Sequence, residues 1–130
     1  MRVRFDEREL VLLRGAEHVR GVDLARNARP TALRDALSLA KAGHKLRAAA
    51  AGASLTFEET ELRLLMEASR FASEEVHWAA AQRDPDARSP RRDAVLAAFP
   101  ELAERGVWRS FGLTRELDEV SKRLQQVLAH

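Results

Sequence analysis

Glu74-Glu75-Val76-His77 contains an E-x-x-H, the helical spacing that sets a carboxylate and an imidazole on one face, where both could ligate a metal. A two-metal carboxylate site needs that motif on two helices and a glutamate from each of two others. This chain carries it once. His44 has no second histidine at a metal-ligand spacing. It falls on an apolar stripe and reads as a core histidine satisfied by a backbone carbonyl. No glycine-rich turn is placed to cradle phosphate, and no serine sits in a nucleophile motif. The absence of cysteine excludes disulfides, thiolate zinc sites and thiol catalysis. The sequence therefore implies no catalytic residue, no metal and no cofactor.

A second acidic pattern is Glu58-x-x-Glu61, with Glu74 and Glu75 further along. It resembles the all-α NTP pyrophosphohydrolases, in which E-x-x-E and a later E-x-x-D gather magnesium. That resemblance implies a metal-dependent, all-α nucleotide pyrophosphohydrolase-like enzyme. The chain departs from the pattern in two ways. His77 stands where Asp is expected, and both acid clusters fall on one predicted helix. Glu58 and Glu75 are then about 25 Å apart at 1.5 Å rise per residue, whereas magnesium needs hard oxygen ligands converging from several directions.

Basic residues suggest a different alternative, a nucleic-acid-binding accessory protein. Arg2, Arg4 and Arg8 cluster at the start, and Arg83, Arg88, Arg91 and Arg92 lie in or beside a polar loop at 82–92. Arginine suits bidentate phosphate contact, and a basic loop can track a phosphate backbone. Trp108-Arg109-Ser110-Phe111 adds rings on which a base could stack, although the same rings fit a plug at the end of a bundle. Asp84, Asp86 and Asp93 dilute the loop, and the net charge is only +2.

The elements that must position these residues are helical. Ala, Leu, Arg and Glu dominate, and β-branched residues are few. The expected fold is an all-α, single-domain bundle of four to six helices spanning residues 1–130. Asp6 and Glu9 form a capping box for a helix to about Arg20, with Phe5 and Leu10 at the staple positions. A second helix runs from Pro30 to about Ala51, with Leu33, Leu37, Ala40 and His44 aligned on its apolar face and Gly52 as a stop. A third starts near Thr56, with Thr56 and Glu59 as its box. Its two apolar stripes make it the expected central helix. Ser89-Pro90 reads as cap and first residue of a fourth helix, broken at Phe99-Pro100. A short segment follows to a stop at Gly106. The last helix, 114–129, has a regular stripe of Leu117, Val120, Leu124, Val127 and Leu128.

Phe5-Asp6-Glu7-Arg8-Glu9-Leu10 and Phe57-Glu58-Glu59-Thr60-Glu61-Leu62 match at an offset of 52. A weaker match joins residues 28–37 to 87–95. Together they suggest two duplicated helical hairpins, 5–51 and 57–106, with the C-terminal amphipathic helix added. Residues 1–51 carry eleven Lys/Arg against six Asp/Glu, while 52–82 carry two against six. The basic second segment is thus expected beside the acidic third. No apolar run reaches the roughly 18 residues of a membrane span, and Met1–Asp6 does not open a secretory signal. These features give a cytoplasmic expectation with no membrane partner. The resulting functional expectation is a non-enzymatic protein–protein interaction or scaffold module. It self-associates or binds another helical protein through Leu117, Val120, Leu124, Val127 and Leu128.

Overall fold

In the computed structural model the described residues are 1–27, 29–82 and 89–130, the side chains of 104–109 excepted. Their order is β1 (Arg2–Arg4), α1 (Glu7–Ala25), α2 (Pro30–Ala48), β2 (Ser54–Thr56), α3 (Glu59–Ala80), α4 (Pro90–Ala98) and α5 (Leu102–Ala129). The all-α bundle is as the composition implies, with one addition. β1 and β2 form a two-stranded antiparallel ribbon in which Arg2 faces Thr56, Val3 faces Leu55 and Arg4 faces Ser54. Three-residue strands leave almost no alternation to detect, so the ribbon has little sequence signature.

The ribbon sets how both long N-terminal helices begin. The Asp6 carboxylate accepts the Glu9 N–H at 2.7 Å, and Glu9 Oε1 accepts the Asp6 N–H at 3.0 Å. This closes the expected capping box of α1. α3 starts two residues later than Thr56 implies, with Glu58 as cap and the Glu58 N–H donating to Glu61 Oε1 at 2.8 Å. Thr56 cannot serve as cap because it is paired with Arg2. Phe5 and Phe57 precede the two boxes, and their buried rings meet at 6.1 Å between centroids.

Proline punctuation holds where expected. Pro30 and Pro90 sit in the first turns of α2 and α4, the Ser89 hydroxyl accepts the Arg92 N–H at 3.1 Å, and α4 ends before Phe99-Pro100. Two helices run past their expected ends. α1 continues through Gly21 to Ala25, and α5 runs 28 residues through Gly106 and Gly112, merging two expected segments. A helical glycine costs about 1 kcal/mol relative to alanine. Packing of Leu113, Leu117, Val120 and Leu124 in one core face outweighs that. Gly52 does act as a turn, with φ of 78°, between the end of α2 and β2.

α3 is central and packs on α1, α2, α4 and α5. Its core residues Leu62, Leu65, Ala68, Ala72 and Val76 meet Leu12, Leu13 and Ala16 of α1, Leu39, Ala42 and Leu46 of α2, and the α5 face. α2 is rotated relative to the sequence expectation. Its buried line is Ala32, Leu39, Ala42, Gly43 and Leu46, so the Leu33-Leu37-Ala40-His44 stripe points outward. The small side chains allow close approach to α1: a Cβ on Gly43 would stand 2.5 Å from Glu17 Cδ. The Arg14 guanidinium secures the same pair of helices. It donates to the Leu46 carbonyl at 3.0 and 2.8 Å and to that of Ala49 at 3.1 Å, satisfying carbonyls at the end of α2. Between α1 and α5, Arg8 binds both oxygens of Glu116, at 2.7 and 2.9 Å, and Glu101 at 3.2 Å. Among the described residues no helix is long and apolar enough to cross a membrane.

Two expected outcomes test this packing. A Cβ on Gly15 would lie 2.5 Å from Cε1 of Phe99, which is 1% exposed, whereas one on Gly21 would meet nothing within 4 Å. Gly21→Ala should stabilise the chain by up to about 1 kcal/mol. Gly15→Ala should instead destabilise it by about 1–3 kcal/mol, read by urea denaturation. Equal stabilisation by the two would contradict the packing. The second outcome concerns Glu116, whose pKa is lowered chiefly by its hydrogen bond to Arg8. A carboxylate with a depressed folded pKa adds stability above its unfolded pKa and loses it as pH falls through the folded value. Glu116→Gln should therefore be less stable than the parent near neutrality, and the gap should close below the ordinary carboxylate range.

Candidate binding groove

The outward stripe of α2 borders a groove against the first turn of α3. The groove is about 470 Å³ and is lined by Leu37, Ala40, Lys41, His44, Lys45, Glu58 and Glu61. Leu33 and Leu37 are 52% and 69% exposed, an apolar pair one helical turn apart on an otherwise basic helix. His44, expected in the core, is exposed at the end of this stripe. Rotation of α2 onto its small residues accounts for all of these placements together.

Glu61 forms the most constrained part of the lining. It is 2% exposed, and its Oε1 accepts both the Lys45 ammonium at 2.7 Å and the Glu58 N–H at 2.8 Å. Its Oε2 is buried with no hydrogen-bond partner among the described residues. A buried carboxylate oxygen without a donor carries the full cost of lost hydration. The other capping box shows what completes such a site. There Glu9 Oε1 takes the Asp6 N–H, and Oε2 takes Nη1 of Arg123 from α5. Arg123 also donates to the Arg4 carbonyl at 2.6 Å and lies 5.5 Å from the centre of the Phe5 ring. Lys45 occupies the matching place near Phe57, 5.4 Å from the ring centre. An ammonium is a point charge and a guanidinium a fork. Here the lysine engages one oxygen and leaves the second, buried one without a donor.

The expected interface residues on α5 lie elsewhere. Leu117, Val120 and Leu124 are buried in the chain's own core, and Val127 and Leu128 are half-buried against it. A regular apolar stripe marks burial without saying by what, and α3 already covers this one. Arg83 and Arg88 lie outside the described residues. Arg91 binds both oxygens of the buried Glu75 at 2.5–3.1 Å and stacks 3.7 Å from the Trp78 ring centre. Its hydrogen bond to Glu75 raises its pKa. Arg92 sits in the first turn of α4 with its N–H on Ser89. Phe111, a candidate plug, is 56% exposed, and the Trp108 side chain lies outside the described residues.

The carboxylates considered for metal binding do not converge. Glu61 turns to Lys45 and Glu75 to Arg91, while Glu74 and His77 line a separate polar cleft between α3 and α5 with Asp118 and Lys122. Among the described residues no group of three or more side chains is arranged to hold a metal ion. The expected meeting of the basic second and acidic third segments is realised in the Lys45–Glu61 pair, whereas Arg47 turns to Glu17 of α1. Sequence reasoning missed the burial of Glu61. The signal available was the match of Glu61 to Glu9, since a residue that closes a capping box beside a packed phenylalanine is held against the core. No family model, curated protein or solved structure matches the chain.

The pair makes a directional expectation. Lys45→Met leaves Glu61 without its cation and should destabilise the fold by about 1–3 kcal/mol. Lys45→Met combined with Glu61→Leu should recover most of that loss, because an apolar pair carries no stranded charge. Equilibrium denaturation of the single and double variants checks this. A neutral Lys45→Met would contradict it.

Proposed function

We propose that this chain is a non-enzymatic, self-associating helical interaction module that pairs through the outer face of α2. The observation that carries the reading is the exposure of Leu33 and Leu37 on one stripe with Ala40 and His44, beside the groove. Full burial of a leucine is worth about 1.5–3 kcal/mol. A symmetric pair would cover four such leucines with a single complementary patch, the commonest arrangement in soluble oligomers. Association carries an opposing cost of at least about 4 kcal/mol, so a contact of one helix pair fits a reversible, micromolar dimer. Leu117, Val120 and Leu124 of the α5 stripe are already buried in the chain's own core, which favours the α2 face over it. Arg91 likewise contributes little to a phosphate-binding reading, since Glu75 and Trp78 engage its guanidinium.

Sedimentation equilibrium of the full chain tests the reading. At tens of micromolar the weight-average mass should rise above that of one chain. Leu33→Glu combined with Leu37→Glu should return it to one chain while the helical circular dichroism is unchanged, because neither side chain is in the core. A parent chain that stays monomeric, or a double variant that associates equally well, would contradict the reading.

A further inference from the structure

We infer that the outer face of α2 is a site for a linear oligophosphate, held between Arg34 and Lys41 of two copies of this chain. The inference rests on the pairing through α2 proposed above. At about 100° per residue, Arg34 and Lys41 fall within about 20° of each other, on the α3 side of the Leu33-Leu37-Ala40-His44 stripe. Both are exposed, and neither makes a hydrogen bond or ion pair with any described residue. The charges around them are placed differently. Lys45 is held by Glu61 and Arg47 by Glu17, while Asp35 is half-buried, about 100° further round toward the covered side. Glu58, on the groove wall, is one acid against the two cations.

That excess of positive charge opposes pairing unless an anion offsets it. When the stripes pair antiparallel, with the helix dipoles opposed, like flanks of the two helices face each other. With the two-fold axis near Leu37, Arg34 of one copy comes within one helical turn of Lys41 of the other. Both cations of both copies then line one edge of the seam, across the separation of about 8–10 Å found between packed helices. Dissolved salt weakens their repulsion by screening alone. An oligophosphate does more, because its charges follow one another along a chain and a single molecule can touch both copies. Arg34 offers its oxygens a fork and Lys41 a point charge. The apolar stripe supplies the contact between the copies. The anion fixes their direction, because antiparallel pairing is the arrangement that gathers these cations on one edge.

Sedimentation equilibrium of the full chain tests this in three magnesium-free buffers of equal ionic strength, containing sodium chloride, tripolyphosphate or adenosine triphosphate. Tripolyphosphate should lower the dimer dissociation constant about tenfold relative to chloride. Adenosine triphosphate should act comparably, since the phosphate chain is the part recognised. Arg34→Gln combined with Lys41→Gln should remove the difference between the buffers. Both side chains are exposed, so this variant keeps the core intact. A parent dimer equally tight in chloride and tripolyphosphate would overturn this inference and keep the self-association reading. A double variant that responds to tripolyphosphate as the parent does would have the same effect. So would a response to adenosine triphosphate alone, because the nucleoside would then be what binds. Parent and double variant monomeric in every buffer would overturn both.

Discussion

The antiparallel pairing of Val3 with Leu55 is the constraint on which the rest of the arrangement depends. It brings Phe5 against Phe57 and places two capping boxes, 52 residues apart in sequence, on either side of one short ribbon. From there α1 and α3 leave as neighbours, and α2 and α5 pack on them. Each box draws in a cation from a helix outside its own: Lys45 of α2 reaches Glu61, and Arg123 of α5 reaches Glu9. The Arg123–Glu9 pair ties α5 back to α1, and the Lys45–Glu61 pair ties α2 to α3. α5 therefore stands to the first box as α2 stands to the second, while α4 fills the space beside α1.

Small residues then decide which side of α2 is left to solvent. Ala42 and Gly43 let the helix approach α1 closely enough to bring Glu17 against its backbone, and Arg14 seals its carbonyl end. With that side inward, Leu33 and Leu37 have nowhere to go but out. The exposed stripe follows from the rotation that packs the core. The difference between Lys45 and Arg123 has a similar consequence. One donor satisfies one oxygen, so the box of α3 ends with a buried acceptor beside a groove, and that of α1 does not.

Much of this was legible in the sequence, and the failures have specific physical causes. The first capping box, the proline starts at Pro30 and Pro90, the break before Pro100 and the central position of α3 all follow from local chemistry. The stop at Gly106 failed because continuous packing outweighs a cost of about 1 kcal/mol. The ribbon escaped notice because three residues are too few to show a period. Two stripes on α2 competed, each with two leucines, and the one that also carries Ala32, Ala42 and Gly43 is buried because small residues permit a close helix crossing, which leaves the stripe ending in His44 outside. For the site, composition correctly placed a basic helix beside an acidic one. The carboxylate without a donor depends on side-chain geometry that no spacing encodes.

The central claim is that the apolar face available for pairing is on α2, while that of α5 is interior. A concentration series of methyl-resolved NMR spectra tests it most directly, because each leucine reports on its own surroundings. The methyl signals of Leu33 and Leu37 should move together as the protein is concentrated, and those of Leu117 and Leu124 should stay fixed. Movement confined to the α5 leucines, or to none, would contradict the account.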